Sequence, residues 1–243
     1  MSSMIAFWNI LSKDMKNYYL KPPNISWGII FPFAWILMMF LRTKSFEISE
    51  IFPGIIGMSV LFGTTSMLAV TITFEKKSRS FERLLLAPIS LELLIISKLT
   101  GAVLFGLFNS ILPVLISVLY FKASIYNPFS LFAGILLLSV ISTLFGLFIS
   151  VSAKEVFEAQ TYSNFFRFPM IFLCGLFMPI TALPIYLRVI SYLLPVTYAV
   201  DFIRYSIDGS NVISVILSIF IILLFCFSLF FISISRIKQK WLK

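Results

Sequence analysis

The chain contains no histidine and only two cysteines, Cys174 and Cys226, each inside an apolar run. Neither cysteine belongs to a CxxC motif, so the sequence has neither the ligand spacing of a zinc site nor a disulfide framework. It also lacks the G-x-x-x-x-G-K-[ST] phosphate loop. The carboxylates and bases form no catalytic constellation. We therefore expect a protein that is not an enzyme, holds no cofactor and binds no ATP itself.

Charge is scarce as well. Only 12% of the 243 residues are charged and 60% are hydrophobic, whereas about 25% of the residues in a soluble domain are charged. This composition predicts an all-α membrane protein, since a segment in lipid must satisfy its own backbone hydrogen bonds. The net charge of +9 is typical of basic cytoplasmic loops and gives no reason to expect nucleic-acid binding.

The apolar runs predict a single transmembrane domain, residues 1–243, that crosses the cell membrane six times. Most lysines and arginines fall on one set of alternate loops, which places both termini in the cytoplasm. The predicted spans cover about residues 25–41, 52–74, 99–121, 129–151, 161–178 and 212–233.

Residues 1–23 have the pattern of an amphipathic helix and not that of a signal peptide. Pro22 and Pro23 then end the helix. One interpretation is a helix lying flat among lipid headgroups, and the other is an ordinary amphipathic helix packed on protein. The apolar residues that recur at steps of four and three are Met4, Trp8, Leu11, Met15 and Tyr18.

Residues 75–98 form a charged island between the second and third predicted spans. We expect these charges to lie in water on the cytoplasmic side. Ser80 to Leu86 suits a short helix that Pro88 ends, and Ser90 can cap a second helix with Glu92 in its first turn. The island is then either a two-faced protrusion joined to two spans or a solvated loop that only fixes topology.

The island resembles the cytoplasmic signature of type-2 ABC-transporter permeases, the six-span membrane subunits of prokaryotic export systems. Arg79-Ser80 stands where that family usually has Gly-Thr. The resemblance continues after the fifth span and covers essentially the whole chain. The matching residues are Phe74-Glu75, residues 81–90, Glu92-Leu93-Leu94, Lys98, residues 175–179, Leu183-Pro184, Leu187-Arg188, residues 194–201 and Arg204.

The resemblance implies two functional elements. The first is a coupling segment that docks on an ATPase subunit, and the second is a re-entrant pair of short helices, residues 179–208, that forms an external gate. The prolines support the second element independently, because they break it into pieces too short to cross a membrane; an ordinary outer loop is the alternative. The coupling residues are Glu75, Phe81, Glu82, Arg83, Leu84, Leu85 and Pro88, and the gate residues are Pro179, Pro184, Pro195, Asp201 and Arg204.

Three charged residues need a separate interpretation. Asp201 and Arg204, three residues apart, are most simply a pair on a helix surface. Arg167 falls inside the fifth predicted span, where a cation is costly unless it pairs, faces water or snorkels. It either lines a translocation path, contacts a lipid phosphate or reaches the headgroups by snorkelling.

These observations predict the permease subunit of an ABC exporter for a hydrophobic or amphipathic substrate such as a drug, a lipid or a lipid-linked glycan. The resemblance implies two permease copies, expected as a homodimer, with two copies of a separate ATPase subunit. The alternative is an ATP-independent secondary carrier or channel. Ion-coupled carriers usually have an acidic residue in the middle of a span, whereas the acids of this chain lie in loops or at span edges. A lipid-metabolising enzyme is a further competitor, but the cluster of aspartates or histidines that it needs is missing.

Overall fold

A computed structural model describes residues 3–21, 30, 32–34, 37–38 and 48–241 of the chain. Within them the ordered secondary structure is helical, as the composition predicts. The first predicted span, about residues 25–41, lies for the most part outside the described residues. The main helices are α1 (Ser3–Asp14), α2 (Ile48–Lys77), α3 (Ser80–Leu85), α4 (Leu91–Leu119), α5 (Pro128–Ser152), α6 (Val156–Leu173), α7 (Ile185–Leu193), α8 (Pro195–Asp208) and α9 (Val215–Trp241).

Four described helices are long and apolar enough to cross a membrane: α2, α4, α5 and α9. The helices α7 and α8 form a pair bent by 97°, which is either one broken span or a re-entrant loop, so the described candidates number four or five. The helix α6 is not among them. The count of six spans therefore stays a prediction.

Several boundaries differ from the prediction. The third predicted span begins at residue 91, because the end of the charged island continues directly into α4. In the region of the fifth predicted span, the helix α6 begins at Val156 and ends at Leu173. Gly175, two residues later, adopts a φ of +82°. The basic tail is also helical, because α9 continues to Trp241. Charged residues at helix ends thus extend the helices beyond their apolar cores.

The helix α2 is the centre of the bundle. Of its most apolar stretch 89% is buried in the protein, against 17% for α9, which lies at the periphery. Glycine permits the closest contact between α2 and α5: a Cβ added to Gly146 would lie 2.5 Å from the carbonyl oxygen of Thr65. Such small residues allow two helix backbones to approach where lipid supplies no hydrophobic driving force.

The amino-terminal helix packs on protein along one face, and its placement among lipid headgroups stays a prediction. One face of α1 packs on α4, with Ile10 and Leu11 buried. Met4 and Trp8 remain exposed and are available to lipid headgroups and hydrocarbon. After Asp14 the chain continues through one π-helical segment, Met15–Tyr19, which brings Tyr19 into the core.

Candidate functional site: a coupling helix above a buried ion cluster

The short helix α3 lies between the ends of α2 and α4. It follows Arg79, whose φ of 55° lies in the left-handed region that glycine favours. The hydroxyls of Ser78 and Ser80 both donate to the carbonyl oxygen of Glu75, at 3.1 and 3.2 Å. These bonds satisfy the carboxyl end of α2 and hold the turn against it.

The second half of the protrusion is fixed by a local cap. The Ser90 hydroxyl accepts a hydrogen bond from the backbone N–H of Leu93 at 3.3 Å, and Glu92 lies in the first turn of α4. Both features were predicted from the sequence and are confirmed. The predicted short helix is also present, ending at Leu85 before Pro88.

The predicted coupling residues divide into an exposed and a buried set. Phe81 is buried and packs edge-on against Trp241 at the end of α9, with ring centroids 5.0 Å apart. Leu86, which is not among the predicted coupling residues, is 86% exposed. Leu86 directly follows α3 and adds an apolar side chain beside the exposed charges of that helix. The remaining predicted residues are exposed (Glu82, Arg83 and Pro88) or half-buried (Leu84 and Leu85).

Glu75 does not lie in water. It and Lys98 are both 0% exposed, so the expectation that all the charges of the island are solvated is wrong for these two. The Lys98 Nζ atom lies 2.5 Å from Glu75 Oε2 and 2.9 Å from Asp14 Oδ2. Lys13 completes the group, with its Nζ atom 2.5 Å from Glu75 Oε1. Two lysines and two carboxylates thus form a neutral cluster, which we call the ion cluster.

The ion cluster joins three segments that are distant in sequence. Lys13 and Asp14 come from the end of α1, Glu75 from the last turn of α2 and Lys98 from the second turn of α4. Buried charges persist only when they are paired, because each isolated ion costs several kcal/mol to desolvate. The two helices that carry the protrusion are therefore tied to each other and to α1.

The surroundings of Lys13 favour its charged form. Burial opposes the charge of Lys13, but the hydrogen bond to Glu75 and the negative charges of Glu75 and Asp14 outweigh it and raise the lysine pKa above 10.5. Tyr19 is fully buried, and burial together with the charges of Asp14 and Glu75 raises its pKa well above 10.0. Tyr19 therefore stays a neutral phenol, packed on Phe105 with ring centroids 5.4 Å apart.

The predicted gate segment contains two short helices that begin at prolines. Pro184 precedes α7 and Pro195 is the first residue of α8. Side chains fix the bend between them: Thr197 Oγ1 donates to the carbonyl of Ser191 at 2.6 Å, and the Tyr198 hydroxyl donates to that of Tyr192 at 2.7 Å. Pro179 precedes a single 3₁₀ turn, Ile180–Ala182. Wherever non-helical backbone lies within the hydrocarbon of a membrane, its polar groups require internal hydrogen-bond partners of this kind.

Asp201 and Arg204 do not lie on an exposed helix surface, so that part of the interpretation is wrong, but the positive charge of Arg204 does act on the Asp201 carboxylate. Both side chains are buried. The Asp201 carboxylate accepts hydrogen bonds from the backbone N–H groups of Val212 and Ile213, at 3.1 and 2.9 Å. Arg204 Nη2 donates to the carbonyl oxygen of Gly175 at 3.0 Å. The two residues tie α8 to the loops that precede and follow the bent pair.

Arg167 is buried in the bundle and does not snorkel to the headgroups. It is 3% exposed, and its guanidinium carbon lies 4.2 Å from the centroid of the Phe62 ring on α2. Its Nε and Nη2 atoms have no hydrogen-bond partner among the described residues. Phe62 is 13 residues before Glu75, or about 20 Å along α2. A cation is thus held deep in the bundle by an aromatic face.

Within the part of the chain that the structure describes, no three histidine, cysteine or acidic side chains are grouped as metal ligands. The distinctive feature of the site is a charged helix–turn–helix protrusion between two long apolar helices. This layout is the one that the resemblance to type-2 ABC-transporter permeases implies for the segment between the second and third predicted spans.

Comparison with known proteins identifies that class. Residues 5–207 match the family described as "ABC-2 type transporter", and the chain belongs to this family. It is 28% identical over 189 residues to "Inner membrane transport permease YadH" of Escherichia coli (strain K12), covering 78% of this chain and 74% of the relative. It is 26% identical over 192 residues to "Probable multidrug ABC transporter permease YbhS" of the same strain, covering 78% of this chain and 51% of the relative.

Family membership confirms the resemblance and settles the general role. The chain is a multi-pass transport permease, the membrane subunit of an ABC transporter. Permeases of this family do not hydrolyse ATP and work with a separate ATP-binding subunit.

Proposed function

We propose that this permease exports a hydrophobic or amphipathic substrate, of the kind represented by drugs, lipids and lipid-linked glycans. Two copies of the chain, as a homodimer, work with two copies of the ATPase subunit, and both termini face the cytoplasm. The apolar composition of the chain supports this substrate class, because 60% of the residues are hydrophobic and only 12% are charged. One relative is named as a multidrug permease, which points in the same direction.

The exposed tip of the protrusion is the docking surface for the ATPase. It consists of Glu82, Arg83, Leu86 and Pro88, which combine one prominent apolar side chain with charges of both signs. Such a surface suits a partner groove with an apolar centre and a polar rim. Phe81 and Glu75 support the tip from below, since both are buried in the permease itself.

The proposed transmission of movement from the ATPase to the membrane helices rests on the ion cluster below this tip. Because α2 and α4 are joined there through Glu75 and Lys98, a displacement of the tip moves both helices together. ATP-driven closure of the partner then tilts the two spans as a unit and changes access across the membrane. The helix α1, held through Asp14, follows the same motion along the membrane surface.

The bent pair of α7 and α8 is the external gate in this proposal. Its prolines and the buried Asp201 and Arg204 keep a rigid irregular element between the long helices. Arg167 lines the translocation path or contacts a lipid phosphate when the bundle opens. The support for this role is that its guanidinium retains unused donors.

Co-purification tests the docking surface directly. The permease is extracted from its native membrane, and proteins bound to it are identified by mass spectrometry. Glu82→Lys and Leu86→Asp should each abolish recovery of an ATPase with a phosphate loop, while insertion stays normal. Lys154→Glu is a matched control, because it changes an exposed charge in another loop. Recovery of the ATPase with both docking variants would contradict the proposed surface.

An ATP-independent carrier is the second candidate, and the buried acids Asp14 and Glu75 are the observation that favours it. A proton-coupled carrier would use such groups. Transport in vesicles separates the two: the permease requires ATP and its partner, whereas a carrier works with a proton gradient alone.

A further inference from the structure

Arg167 places a positive charge at the middle depth of the bundle. Its guanidinium carbon lies over the ring of Phe62, and this ring belongs to α2, which is a candidate membrane span from Ile51 to Lys77. Phe62 is near the middle of that span, so the guanidinium lies within the hydrocarbon, which is about 30 Å thick. A cation at this depth is costly unless something compensates its charge.

The chain offers Arg167 no carboxylate at that depth. The six predicted spans contain no aspartate and no glutamate. Of the buried acids that the structure describes, Asp14 and Glu75 belong to the ion cluster and Asp201 accepts hydrogen bonds from backbone N–H groups. A second copy of the chain has the same sequence, so its spans have no acid to offer either. The compensating charge must therefore come from another molecule.

The free donors of Arg167 define the kind of anion that fits. They are Nε and Nη2, both buried and both without a hydrogen-bond partner among the described residues. These two nitrogens share one edge of the planar guanidinium, and their N–H bonds run side by side. Two parallel donors match two oxygens of one phosphate, carboxylate or sulfonate group. The geometry therefore favours an oxyanion over a halide, which presents a single atom.

The helix α2 adds hydroxyl groups on the same side as the aromatic ring. Ser59 and Ser66 lie three residues before and four residues after Phe62, a spacing that places all three on one face of the helix. Both hydroxyl oxygens are buried and have no hydrogen-bond partner in the described part of the chain. Buried hydroxyls normally have partners, so this face of α2 has donors to spare for an anion.

We infer that Arg167 and the facing surface of α2 bind the oxyanion group of the transported substrate, so that the cargo is an acidic amphipath. The inference rests on the proposed function and adds the charge that the substrate carries. The site is closed in this structure, since Arg167 is 3% exposed. Because α2 also carries Glu75 of the ion cluster, a displacement of the coupling tip would move α2 relative to α6 and open the site.

Binding to the full chain without its ATPase tests the site. The permease in detergent is mixed with lysophosphatidic acid or with the monoacylglycerol of the same acyl chain, which lacks only the phosphate. Native mass spectrometry measures the fraction of chains that carry one molecule. The wild type should bind lysophosphatidic acid at least about tenfold more tightly, because hydrogen bonds between charged groups are the strong ones.

Variants of one residue make the binding result specific. Arg167→Gln should abolish the preference for the phosphate, and Arg167→Lys, which keeps the charge but not the paired donors, should retain only part of it. Lys154→Gln, which removes an exposed charge elsewhere, should bind as the wild type does. Arg167→Gln removes a buried charge that has no carboxylate, so its melting temperature should not fall. Equal binding of the two lipids by the wild type, or an unchanged preference in Arg167→Gln, would overturn the inference.

Transport distinguishes a cargo from a resident lipid. In proteoliposomes that contain the permease and its ATPase, fluorescent lysophosphatidic acid should cross the membrane only with ATP, and faster than the matching monoacylglycerol. Equal ATP-dependent movement of both lipids would contradict the acidic cargo and leave the proposed export function intact. Movement of neither lipid, with phosphate-selective binding intact, would contradict the transport step and assign the site to a resident lipid.

Discussion

Replacing Lys98 by methionine tests the ion cluster most directly. Methionine keeps much of the volume of the side chain but removes the charge that lies 2.5 Å from Glu75 and 2.9 Å from Asp14. Lys13 then remains to balance two buried carboxylates. Removing one partner of a buried ion pair costs about 3–5 kcal/mol. For a chain of this size this corresponds to a fall in melting temperature of about 6–20 °C.

The native cysteines provide the assay. Cys174 and Cys226 are both buried, so a thiol-reactive dye becomes fluorescent only as the purified permease unfolds. The matched control is Lys154→Met, which removes an exposed lysine and should change the free energy of unfolding by less than about 0.5 kcal/mol. The double variant Lys98→Met with Glu75→Gln restores neutrality, because Lys13 and Asp14 remain as a pair.

The double variant decides the interpretation. If the ion cluster couples α2 and α4 as described, Lys98→Met with Glu75→Gln should be more stable than the sum of the single effects by about 1–3 kcal/mol. Purely additive effects, or a melting temperature of Lys98→Met within 2 °C of the wild type, would refute the reasoning.

Four further outcomes are expected. Leu86→Asp should reduce ATPase binding in co-purification at least tenfold with an unchanged melting temperature, since Leu86 is 86% exposed. Gly146→Ala should destabilise the permease by about 2 kcal/mol or more, because the added methyl group would be overpacked against the Thr65 carbonyl. The control Gly101→Ala should be neutral in the same dye assay, because its methyl group would lie at an ordinary 3.5 Å from the nearest atom. Asp201→Asn should cost about 1–3 kcal/mol, because the amide offers one acceptor oxygen where the carboxylate uses two. Arg167→Leu should lower transport in vesicles without lowering the melting temperature, and unchanged transport would exclude a role in the path.

The features that the sequence predicted well are those that depend on neighbouring residues. The cap at Ser90 needs only the backbone of the next turn, and the end of α3 before Pro88 follows from the proline itself. The helical character of the long runs follows from their composition in the same way. Local chemistry is sufficient in each of these cases.

Tertiary partners could not be predicted in the same way. The spacing of Asp201 and Arg204 suggested a pair, and the charge of Arg204 does act on Asp201, but spacing could not predict their hydrogen bonds to backbone groups of loops 11 to 29 residues away. Burial of Lys98 likewise depends on the packing of α1 against α4, which joins residues 84 positions apart. One signal was available in retrospect: Lys98 lies eight residues after the cap Ser90, between the apolar residues of α4. A lysine at that depth requires an acid.

The positions of the buried and exposed charges together explain how one short helix could move a whole bundle. If Glu82 and Arg83 were buried in the permease, no partner could bind them, and if Glu75 and Lys98 were solvated, screening would leave them only weakly attracted. The structure separates these roles: the charges of the tip are exposed, and those at its base are buried and paired. Buried pairs resist separation because each separated ion would lie in a poorly solvating interior. A force applied at the tip is therefore expected to move α2 and α4 as a unit before it can pull them apart.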